Sequence, residues 1–389
     1  MKKETVSRER NIIVLGAGYA GAAAVKELEK NVGGGEVTWI SENPYHLVQH
    51  QVHRVVRNRD AENDVVVPVG DIKTPETEFV EATVEDVEVE DKHVITDRGV
   101  FEYEVLLVCL GGKTAFYGIP GLERYSHTLK SLDDALGLRE AMVSAAREST
   151  TEEPAKVVVG GAGLTGIETA GEIAEYREAS NEPVEVKLLE ADESIYPPGG
   201  EDVRELLVKL LDSKDIETST GDPISEVDAE SVYLDSGSEV DYDVLVWTGG
   251  VRGNPTSDQI DVDTHHDRIV ARNDFTTSAE DVFVVGDAGK ISLNGGYAPM
   301  KGSAAWKGGE VAARNLVSAL EGEQLENWRY VDEGTVISVG DECVADEIRK
   351  SPVSTFSGYP ANHLKKYIAM RWIAHLTDWR RAWGSRDAM

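Results

Sequence analysis

The chain has 389 residues, of which 41% are apolar, and its 71 acidic and 39 basic residues give a net charge of −32. This length is enough for two or three domains with their own cores. Such a charge repels nucleic acid. Acids spread along the whole chain are typical of proteins adapted to molar salt, with an ordinary acidic cytosolic protein as the alternative. The start of the chain lacks the apolar stretch of a signal peptide, and no apolar run approaches the roughly 18 residues of a membrane span. The two cysteines, Cys109 and Cys343, belong to no CxxC or CxxxxC pair, so we expect neither a redox dithiol nor a zinc site.

The first predicted element is a strand that enters a glycine turn and then a helix, in the sequence NIIVLGAGYAG. Gly16 permits the sharp turn, Gly18 lets backbone approach the phosphates, and Gly21 lets helix and strand pack closely. The helix N-terminus favours the negative charge of a pyrophosphate. Glu42 follows the second strand, where an acidic residue bonds to ribose hydroxyls. We therefore predict a dinucleotide site here, with a plain glycine turn as the alternative.

Three histidines, His46, His50 and His53, follow in NPYHLVQHQVHRVV. No carboxylate or cysteine accompanies them, so we favour a polar loop near the cofactor and predict no metal. Residues 64–100 are rich in Val and Glu and predict short strands of an inserted antiparallel piece. The segment YEVLLVCLGG predicts a buried strand that ends near Gly111 and brings backbone beside the cofactor. The Pro/Gly-rich KTAFYGIPG predicts a hinge between domains.

The opening motif recurs in KVVVGGAGLTG, where Gly161, Gly163 and Gly166 repeat the spacing of the first three glycines. A helix (IETAGEIAEY) and a strand that ends at Glu190 follow, which predicts a second dinucleotide site. A carboxylate at Glu190 binds a free 2′-hydroxyl and repels a 2′-phosphate, so we expect NADH to be preferred over NADPH.

Later in the chain, DVFVVGDAG predicts a strand whose end places the Asp287 carboxylate beside a cofactor's sugar-like chain. The segment that follows predicts a helix with Pro299 in its first turn, where proline is tolerated. GTVISVGDECVADEI then predicts strands.

The tail, residues 362–389, carries six basic residues against two acidic ones and three of the seven tryptophans. Helical spacing predicts one apolar face, and it places Lys365, Lys366, Arg371 and Arg381 largely elsewhere, on the polar side. The predicted face is formed by Ile368, Trp372, His375, Leu376, Trp379 and Trp383. This pattern is typical of a helix lying in a membrane interface. Packing onto the acidic body or onto a second subunit is the alternative.

Together the two GxGxxG motifs, TAFYGIPG and VFVVGDAG resemble the flavoproteins with two dinucleotide-binding domains. NPYHLVQ, TGIETAGEI, VWTGGV and GTVISVGDECVA narrow the resemblance to the type II NADH:quinone oxidoreductases. It implies that the first motif holds FAD and the second NADH. Hydride would pass from NADH to flavin N5, and electrons then to a membrane quinone.

The resemblance also implies site residues. Gly16, Gly18, Gly21, Glu42, Gly111 and Asp287 would bind FAD, and Gly161, Gly163, Gly166 and Glu190 would bind NADH. Glu168 matches a glutamate near the stacked nicotinamide, and it and Lys301 are the expected catalytic residues. The helix near Pro299, with Lys301, would stabilise negative charge on the reduced flavin, a solvated surface lysine being the alternative. The sequence departs from the family pattern at two of these positions. The acid at the end of the second strand usually stands where Ser41 lies, and the quinone-side helix usually carries an Ala-Gln pair where this chain has Gly302-Ser303.

We therefore expect an α/β protein with two Rossmann-like domains and a C-terminal strand and amphipathic-helix region. The expected limits are 1–118 with 252–325 for FAD, 119–251 for NADH, and 326–389 for the C-terminal region. The expected partners are NADH, quinone and the membrane surface. We expect a cytoplasmic protein that binds the inner face of the cell membrane through its tail. A homodimer is also possible from the sequence. Competing interpretations are a flavin reductase serving a soluble carrier, a sulfide:quinone oxidoreductase, and a non-catalytic flavin-binding sensor.

Overall fold

The computed structural model describes residues 11–32 and 36–386. The chain forms two compact units, and each unit is assembled from three separate segments. The first unit comprises Met1–His46, Val67–Lys113 and Arg252–Val331; the second comprises Leu47–Val66, Thr114–Val251 and Asp332–Met389. Residues 1–10, on which the expectation of no targeting segment depends, and residues 387–389 of the tail lie outside the described residues.

The helices are α1 (Tyr19–Asn31), α2 (Arg54–Arg57), α3 (Glu62–Val65), α4 (Val69–Ile72), α5 (Leu122–Tyr125), α6 (Leu132–Glu148), α7 (Leu164–Ser180), α8 (Glu201–Ser213), α9 (Gly302–Glu321), α10 (Tyr359–Leu376) and α11 (Trp379–Gly384). Within the described ranges, no helix is both long and apolar enough to span a bilayer.

The strands of the first half are β1 (Asn11–Leu15), β2 (Glu36–Ser41), β3 (Tyr45–Leu47), β4 (Val66–Pro68), β5 (Thr77–Glu81), β6 (Val84–Glu88), β7 (His93–Thr96), β8 (Gly99–Glu102), β9 (Val105–Val108), β10 (Gly112–Thr114), β11 (Ala155–Gly160) and β12 (Val184–Glu190). Those of the second half are β13 (Ile216–Thr220), β14 (Ile224–Val227), β15 (Ser231–Leu234), β16 (Glu239–Asp241), β17 (Val244–Trp247), β18 (Val251–Gly253), β19 (Thr264–His265), β20 (Arg268–Ala271), β21 (Val282–Val284), β22 (Gly289–Leu293), β23 (Gly296–Tyr297), β24 (Thr335–Val339), β25 (Glu342–Asp346) and β26 (Phe356–Ser357).

A parallel sheet of order β21-β9-β1-β2-β5 is the centre of the first unit. The residues of β9 are all buried, as expected for a strand covered on both faces. Helix α9 packs closely on α1. The glycine at Gly309 permits this approach, since a Cβ added there would lie 2.4 Å from the Ala20 carbonyl oxygen. The chain leaves β1 towards β2 on one side while β9 lies on the other. This makes the carboxyl end of β1 the switch point where such sheets bind ligands.

The second unit repeats this arrangement with the parallel order β13-β12-β11-β17. Strand β11 has β12 on one side and β17 on the other, so a second switch point lies at its carboxyl end. The C-terminal β24 and β25 pair antiparallel in the same unit. Helix α7 packs tightly against the turn between β24 and β25. Gly171 permits this approach, since a Cβ added there would lie 2.3 Å from the Gly340 nitrogen. The predicted α/β class with two parallel-sheet folds is confirmed.

Two predicted segments differ from the structure. The antiparallel piece expected over residues 64–100 is confined to β6, β7 and β8, whereas β5 joins the parallel sheet beside β2. Before β5, strand β4 pairs with β3 and α4 forms a single helical turn, because tertiary packing outweighs the local strand propensity of the valines. The helix expected to include Pro299 begins instead at Gly302, since Pro299 accepts a 2.9 Å bond from the Lys301 N–H in a tight turn that precedes the helix.

The tail forms two helices rather than one continuous amphipathic helix. Helix α10 ends at Leu376, and Asp378 caps α11 by accepting bonds from the Arg380 and Arg381 N–H groups. Trp372 is buried, whereas Trp379 and Trp383 are 55% and 62% exposed. The predicted single face is therefore wrong, because Trp372 and Leu376 of α10 are buried while the two tryptophans of α11 are exposed.

Candidate functional site

The first glycine turn is built by close backbone contacts that only glycine permits. Gly16 has φ of +99°, and a Cβ there would lie 2.4 Å from the Cys109 carbonyl oxygen. A Cβ at Gly21 would lie 1.9 Å from the Gly16 carbonyl oxygen. The Trp39 indole N–H donates to that same oxygen at 2.9 Å. These contacts fix the turn between β1 and α1.

Gly18 differs from its two neighbours in the motif. Its φ of −72° is open to any residue, and a Cβ there would meet no protein atom within 4 Å. The fold itself therefore does not require glycine at this position, whereas a ligand lying against the backbone does. Gly18 precedes the first turn of α1, and no side chain caps this helix end. The cradle fits the pyrophosphate of a dinucleotide.

A buried histidine supports this turn. The His46 ring is fully buried, and its Nδ1 lies 2.8 Å from the Ala17 carbonyl oxygen inside the motif. Burial lowers the pKa of His46 to about 4, so the neutral ring donates its Nδ1–H to that oxygen. Its ring also meets Tyr19 edge-on, with centroids 5.0 Å apart. His46 is therefore part of the site, which the sequence interpretation of a polar loop did not reveal.

Asp287 lies at the same end of the first unit. The preceding Gly286 has φ of +77°, and a Cβ there would lie 3.2 Å from the Ala20 Cβ and 3.6 Å from the Ala305 Cβ. The Gly286-Asp287 turn thus packs between the first turns of α1 and α9. The Arg268 guanidinium supports it by donating to the Asp287 carbonyl oxygen at 3.1 Å. The fold therefore brings together Asp287 and the first glycine turn, as predicted from two distant motifs.

The remaining first-unit candidates lie around this turn. Lys301 is the N-cap of α9, and no side-chain bond caps this helix end. A Cβ added at the next residue, Gly302, would lie 3.5 Å from the Tyr19 ring. Gly111 follows β9 with φ of +69° and open space around its Cβ position. Ser41 is buried at the end of β2, whereas Glu42 is exposed just beyond it. Glu42 is thus the carboxylate that reaches solvent at this strand end.

The second glycine turn copies the first. Gly161 has φ of +95°, and a Cβ there would lie 2.7 Å from the Gly249 Cα, beyond the end of β17. A Cβ at Gly166 would lie 1.8 Å from the Gly161 carbonyl oxygen. Gly163, with φ of −75°, again faces open space. The second turn therefore offers the same cradle to a second pyrophosphate.

Glu190 lies at the end of β12 and bonds to this turn. Its Oε2 accepts the Ala162 N–H at 2.7 Å, and its Oε1 accepts the Asp192 N–H at 3.0 Å. A carboxylate has about four lone-pair sites, so acceptor capacity remains for hydroxyl groups of a ligand. The carboxylate is therefore held in place beside the predicted adenosine half of the site.

Glu168, on α7, is the centre of a buried polar cluster in the second unit. Its Oε1 pairs with the Lys365 ammonium of α10 and lies 3.3 Å from the Ser338 nitrogen and hydroxyl. Its Oε2 lies 3.6 Å from the His53 Nδ1, and His53 Nε2 lies 3.4 Å from the Ser338 hydroxyl. Burial, with help from the Lys365 charge, holds the pKa of His53 well below its usual value. The ion pair is thus Glu168 with Lys365, beside a neutral imidazole.

A second acidic group lies further along α7. Glu172 is 1% exposed, and burial raises its pKa to about 7 although Arg57 lies 3.9 Å away. Arg57 also contacts Glu175 at 3.5 Å and Asp341 at 2.8 Å. This face of α7 is therefore joined through charges to α2 and to the β24–β25 turn. Lys365 was expected on the polar face of the tail, and its burial corrects that expectation.

The comparisons with known proteins agree with this geometry. The sequence profile described as "Pyridine nucleotide-disulphide oxidoreductase" matches residues 10–309. The chain belongs to this family. In this oxidoreductase, however, both cysteines are free and buried. Burial raises the pKa of the Cys343 thiol to about 11 and that of Cys109 still further, so neither is a thiolate near neutral pH. Disulphide chemistry is therefore not carried by these thiols.

Two relatives are described as type II NADH:quinone oxidoreductases. The protein from Staphylococcus aureus strain RF122 is 29% identical over 390 residues, covering 93% of this chain and 94% of its own. The protein from Staphylococcus saprophyticus is 29% identical over 352 residues, covering 85% and 88%. These matches extend beyond the family profile into the C-terminal region.

Solved structures share the fold. NDH2 from Plasmodium falciparum in complex with NADH has a TM-score of 0.85 at 14% identity, covering 98% of this chain and 97% of its own. The sulfide:quinone oxidoreductase from Aquifex aeolicus has a TM-score of 0.78 at 17% identity, covering 97% and 92%. At these identities the likeness establishes the architecture alone.

Proposed function

We propose that this oxidoreductase is a type II NADH:quinone oxidoreductase that holds FAD in the first glycine turn and takes NADH as substrate in the second. The observation that carries the proposal is the pair of turns in which the middle glycine, Gly18 or Gly163, faces open space. Two such cradles fit two dinucleotides. The description of the relatives that cover most of the chain supports quinone as the acceptor.

The first unit would hold FAD. Gly16, Gly18 and Gly21 shape the pyrophosphate cradle, and Glu42 and Asp287 offer carboxylates for the hydroxyl groups of the ligand. FAD, when bound, supplies the two-electron chemistry between nicotinamide and quinone. The start of α9 and the Lys301 charge favour negative charge placed before them. Gly111 leaves room for a ligand beside the end of β9.

The second unit would bind NADH. Gly161, Gly163 and Gly166 form the cradle, and the oriented Glu190 carboxylate selects a free 2′-hydroxyl over a 2′-phosphate. Glu168, near the start of α7, is proposed to act on the nicotinamide side of this site. Its pairing with Lys365 neutralises its charge in a buried environment, where an unpaired carboxylate is costly. We propose the limits 1–118 with 252–325, 119–251 and 326–389 for the FAD, NADH and C-terminal regions. The compact units differ from these limits, because Leu47–Val66 and residues 114–118 lie in the second unit.

Contact with a membrane surface is proposed for α11. Trp379 and Trp383 are four residues apart and exposed, so both lie on one side of this short helix. Arg380, Arg381 and Arg386 add positive charge in an otherwise acidic protein. Exposed Trp beside Arg is the composition of a membrane interface. The enzyme would then act on the cytoplasmic inner face of the cell membrane. A homodimer that buries the same tryptophans is the alternative. We expect no nucleic-acid partner, because a net charge of −32 repels nucleic acid.

The function is tested by steady-state NADH oxidation with a short-chain quinone, with ferricyanide as the control acceptor. We expect both acceptors to be reduced. Reduction of ferricyanide without quinone would favour a soluble carrier as the acceptor. Failure of NADH to bleach the flavin in a stopped-flow experiment would leave only a non-catalytic flavin protein.

The membrane contact is tested with the variant Trp379→Ser/Trp383→Ser and anionic liposomes. We expect the variant to keep NADH:ferricyanide activity and to lose cosedimentation with the liposomes. The matched control is Trp306→Ser, which changes a tryptophan of α9 in the other unit. If native protein and double variant cosediment equally, α11 is not the anchor; if the native protein elutes as a dimer and the variant as a monomer, the surface is a subunit contact.

A further inference from the structure

An exposed tyrosine in a strained conformation lies beside the second glycine turn. Tyr117 has φ of +51° and is 68% exposed, although it belongs to the segment that enters the second unit. A bulky residue in the left-handed region is uncommon and costs free energy. Its exposed ring repays little of that cost by burial. Such an outlier points to a role in function rather than in stability.

Glycines hold Tyr117 against the segment Thr248–Gly250 at the end of β17. Its hydroxyl donates to the Gly249 carbonyl oxygen at 3.3 Å, and its ring meets Trp247 edge-on with centroids 6.5 Å apart. A Cβ at Gly250 would lie 2.1 Å from the Tyr117 hydroxyl oxygen. A Cβ at Gly161 would in turn lie 2.7 Å from the Gly249 Cα. A series of close contacts therefore leads from Tyr117 to the dinucleotide turn.

The order of the strands tells which half of NADH lies nearest to this ring. Glu190, at the end of β12, marks the adenosine side of the turn, and Gly163 marks the pyrophosphate. Strand β17 lies on the opposite side of β11 from β12. A dinucleotide that crosses this switch point with its adenosine towards β12 places its nicotinamide towards β17. Tyr117 is the exposed aromatic residue described at that side.

We propose that Tyr117 binds the nicotinamide half of NADH and forms an aromatic wall of its site. The ring supplies a flat apolar face, and the left-handed backbone sets that face outside the Gly249–Gly250 segment. An aromatic face suits a nicotinamide ring, as it suits bases in other sites. The inference rests on the proposed function of the second turn.

The test compares Tyr117→Ala with NADH and with ADP-ribose, which lacks the nicotinamide. We expect KM for NADH to rise about tenfold, within the range that stacking on a base contributes. Inhibition by ADP-ribose should stay within twofold of native. Tyr117→Phe should restore the native KM, because it keeps the ring. Tyr359→Ala, which removes a tyrosine that is 78% exposed on α10, is the matched control and should have the native KM.

Tyr117→Gly provides a variant that removes the ring and also the backbone strain. It should raise Tm while it raises KM for NADH, an outcome that simple unfolding cannot produce. A native KM in Tyr117→Ala and Tyr117→Gly would overturn the inference, as would equal weakening of NADH and ADP-ribose. These outcomes presuppose that the native enzyme oxidises NADH. If it does not, the proposed function fails before the role of Tyr117 is tested.

Discussion

Replacing single glycines of the second turn separates the demands of the fold from those of the ligand. At Gly163, the N-cap of α7, alanine meets no protein atom within 4 Å. Alanine is a poorer N-cap than glycine by about 0.5 kcal/mol, and the lower entropy of the unfolded chain offsets about 0.4–1 kcal/mol. The free energy of unfolding should thus change by less than about 0.5 kcal/mol, which is about 1–2 °C in Tm. KM for NADH should nevertheless rise by about tenfold or more, because the methyl group enters the cradle.

Gly166→Ala should behave in the opposite sense. Its Cβ would lie 1.8 Å from the Gly161 carbonyl oxygen, so backbone must move and the free energy of unfolding should fall by about 1–3 kcal/mol or more. Thermal melts with NADH kinetics measure both effects. Gly18→Ala is the parallel test in the first unit, with FAD content as the readout and an unchanged Tm of the second unit as the control. A native KM in Gly163→Ala would refute the argument that open space at the middle glycine marks a ligand.

Lys365→Met should lower the free energy of unfolding by about 3–5 kcal/mol, because it leaves Glu168 buried without its cation. The double variant Glu168→Gln/Lys365→Met should recover much of the lost free energy of unfolding, as measured by urea titration. If the single and double variants are equally destabilised, the pair is not coupled. Glu190→Ala should narrow the ratio of kcat/KM for NADH over NADPH, and equal use of both nucleotides by the native enzyme would contradict the assigned role. The pKa of His46 in the folded protein, about 4, lies below its ordinary value of 6.5, so between these pH values only the unfolded chain binds the proton. The free energy of unfolding should therefore fall by about 3 kcal/mol as the pH drops from about 6.5 to 4. His46→Gln should flatten that part of the Tm–pH curve, and an unaltered curve would show that another group causes it. With a net charge of −32, activity and bound FAD should decline on dialysis to about 0.1 M salt, where the screening length is roughly 10 Å, whereas a Tm unaffected by KCl would argue against this.

The parallel sheets and the glycine turns could be predicted because their residues act through backbone geometry. Gly16 and Gly161 need positive φ, and Gly21 and Gly166 need close approach, in any sequence that makes this turn. The Gly286-Asp287 turn could be expected near the first glycine turn for a similar reason, since β21 and β1 are parallel and end at the same edge of one sheet. Local sequence was therefore sufficient where the local backbone determines the site.

The polar cluster around Glu168 could not be predicted in the same way. His53, Ser338 and Lys365 come from three distant segments, and nothing in their local sequence says which carboxylate they meet. Helical periodicity placed Lys365 on a polar face because it counts residues along one helix and ignores what packs against that helix. Trp372 was misjudged for the same reason, because periodicity shows an apolar face without showing its partner.

The interleaving of the two units along the chain has a consequence for synthesis on the ribosome. When residue 251 has emerged, the sheet of the second unit is complete, but Lys365 is still missing. Glu168 then has no cation, so its carboxylate must stay hydrated in the nascent chain. The first unit likewise exposes the free edge of β9 until β21 arrives, and unpaired strand edges promote aggregation. Neither unit can finish folding while the chain is half made, so we expect the nascent protein to need chaperone protection until Lys365 of α10 pairs with Glu168.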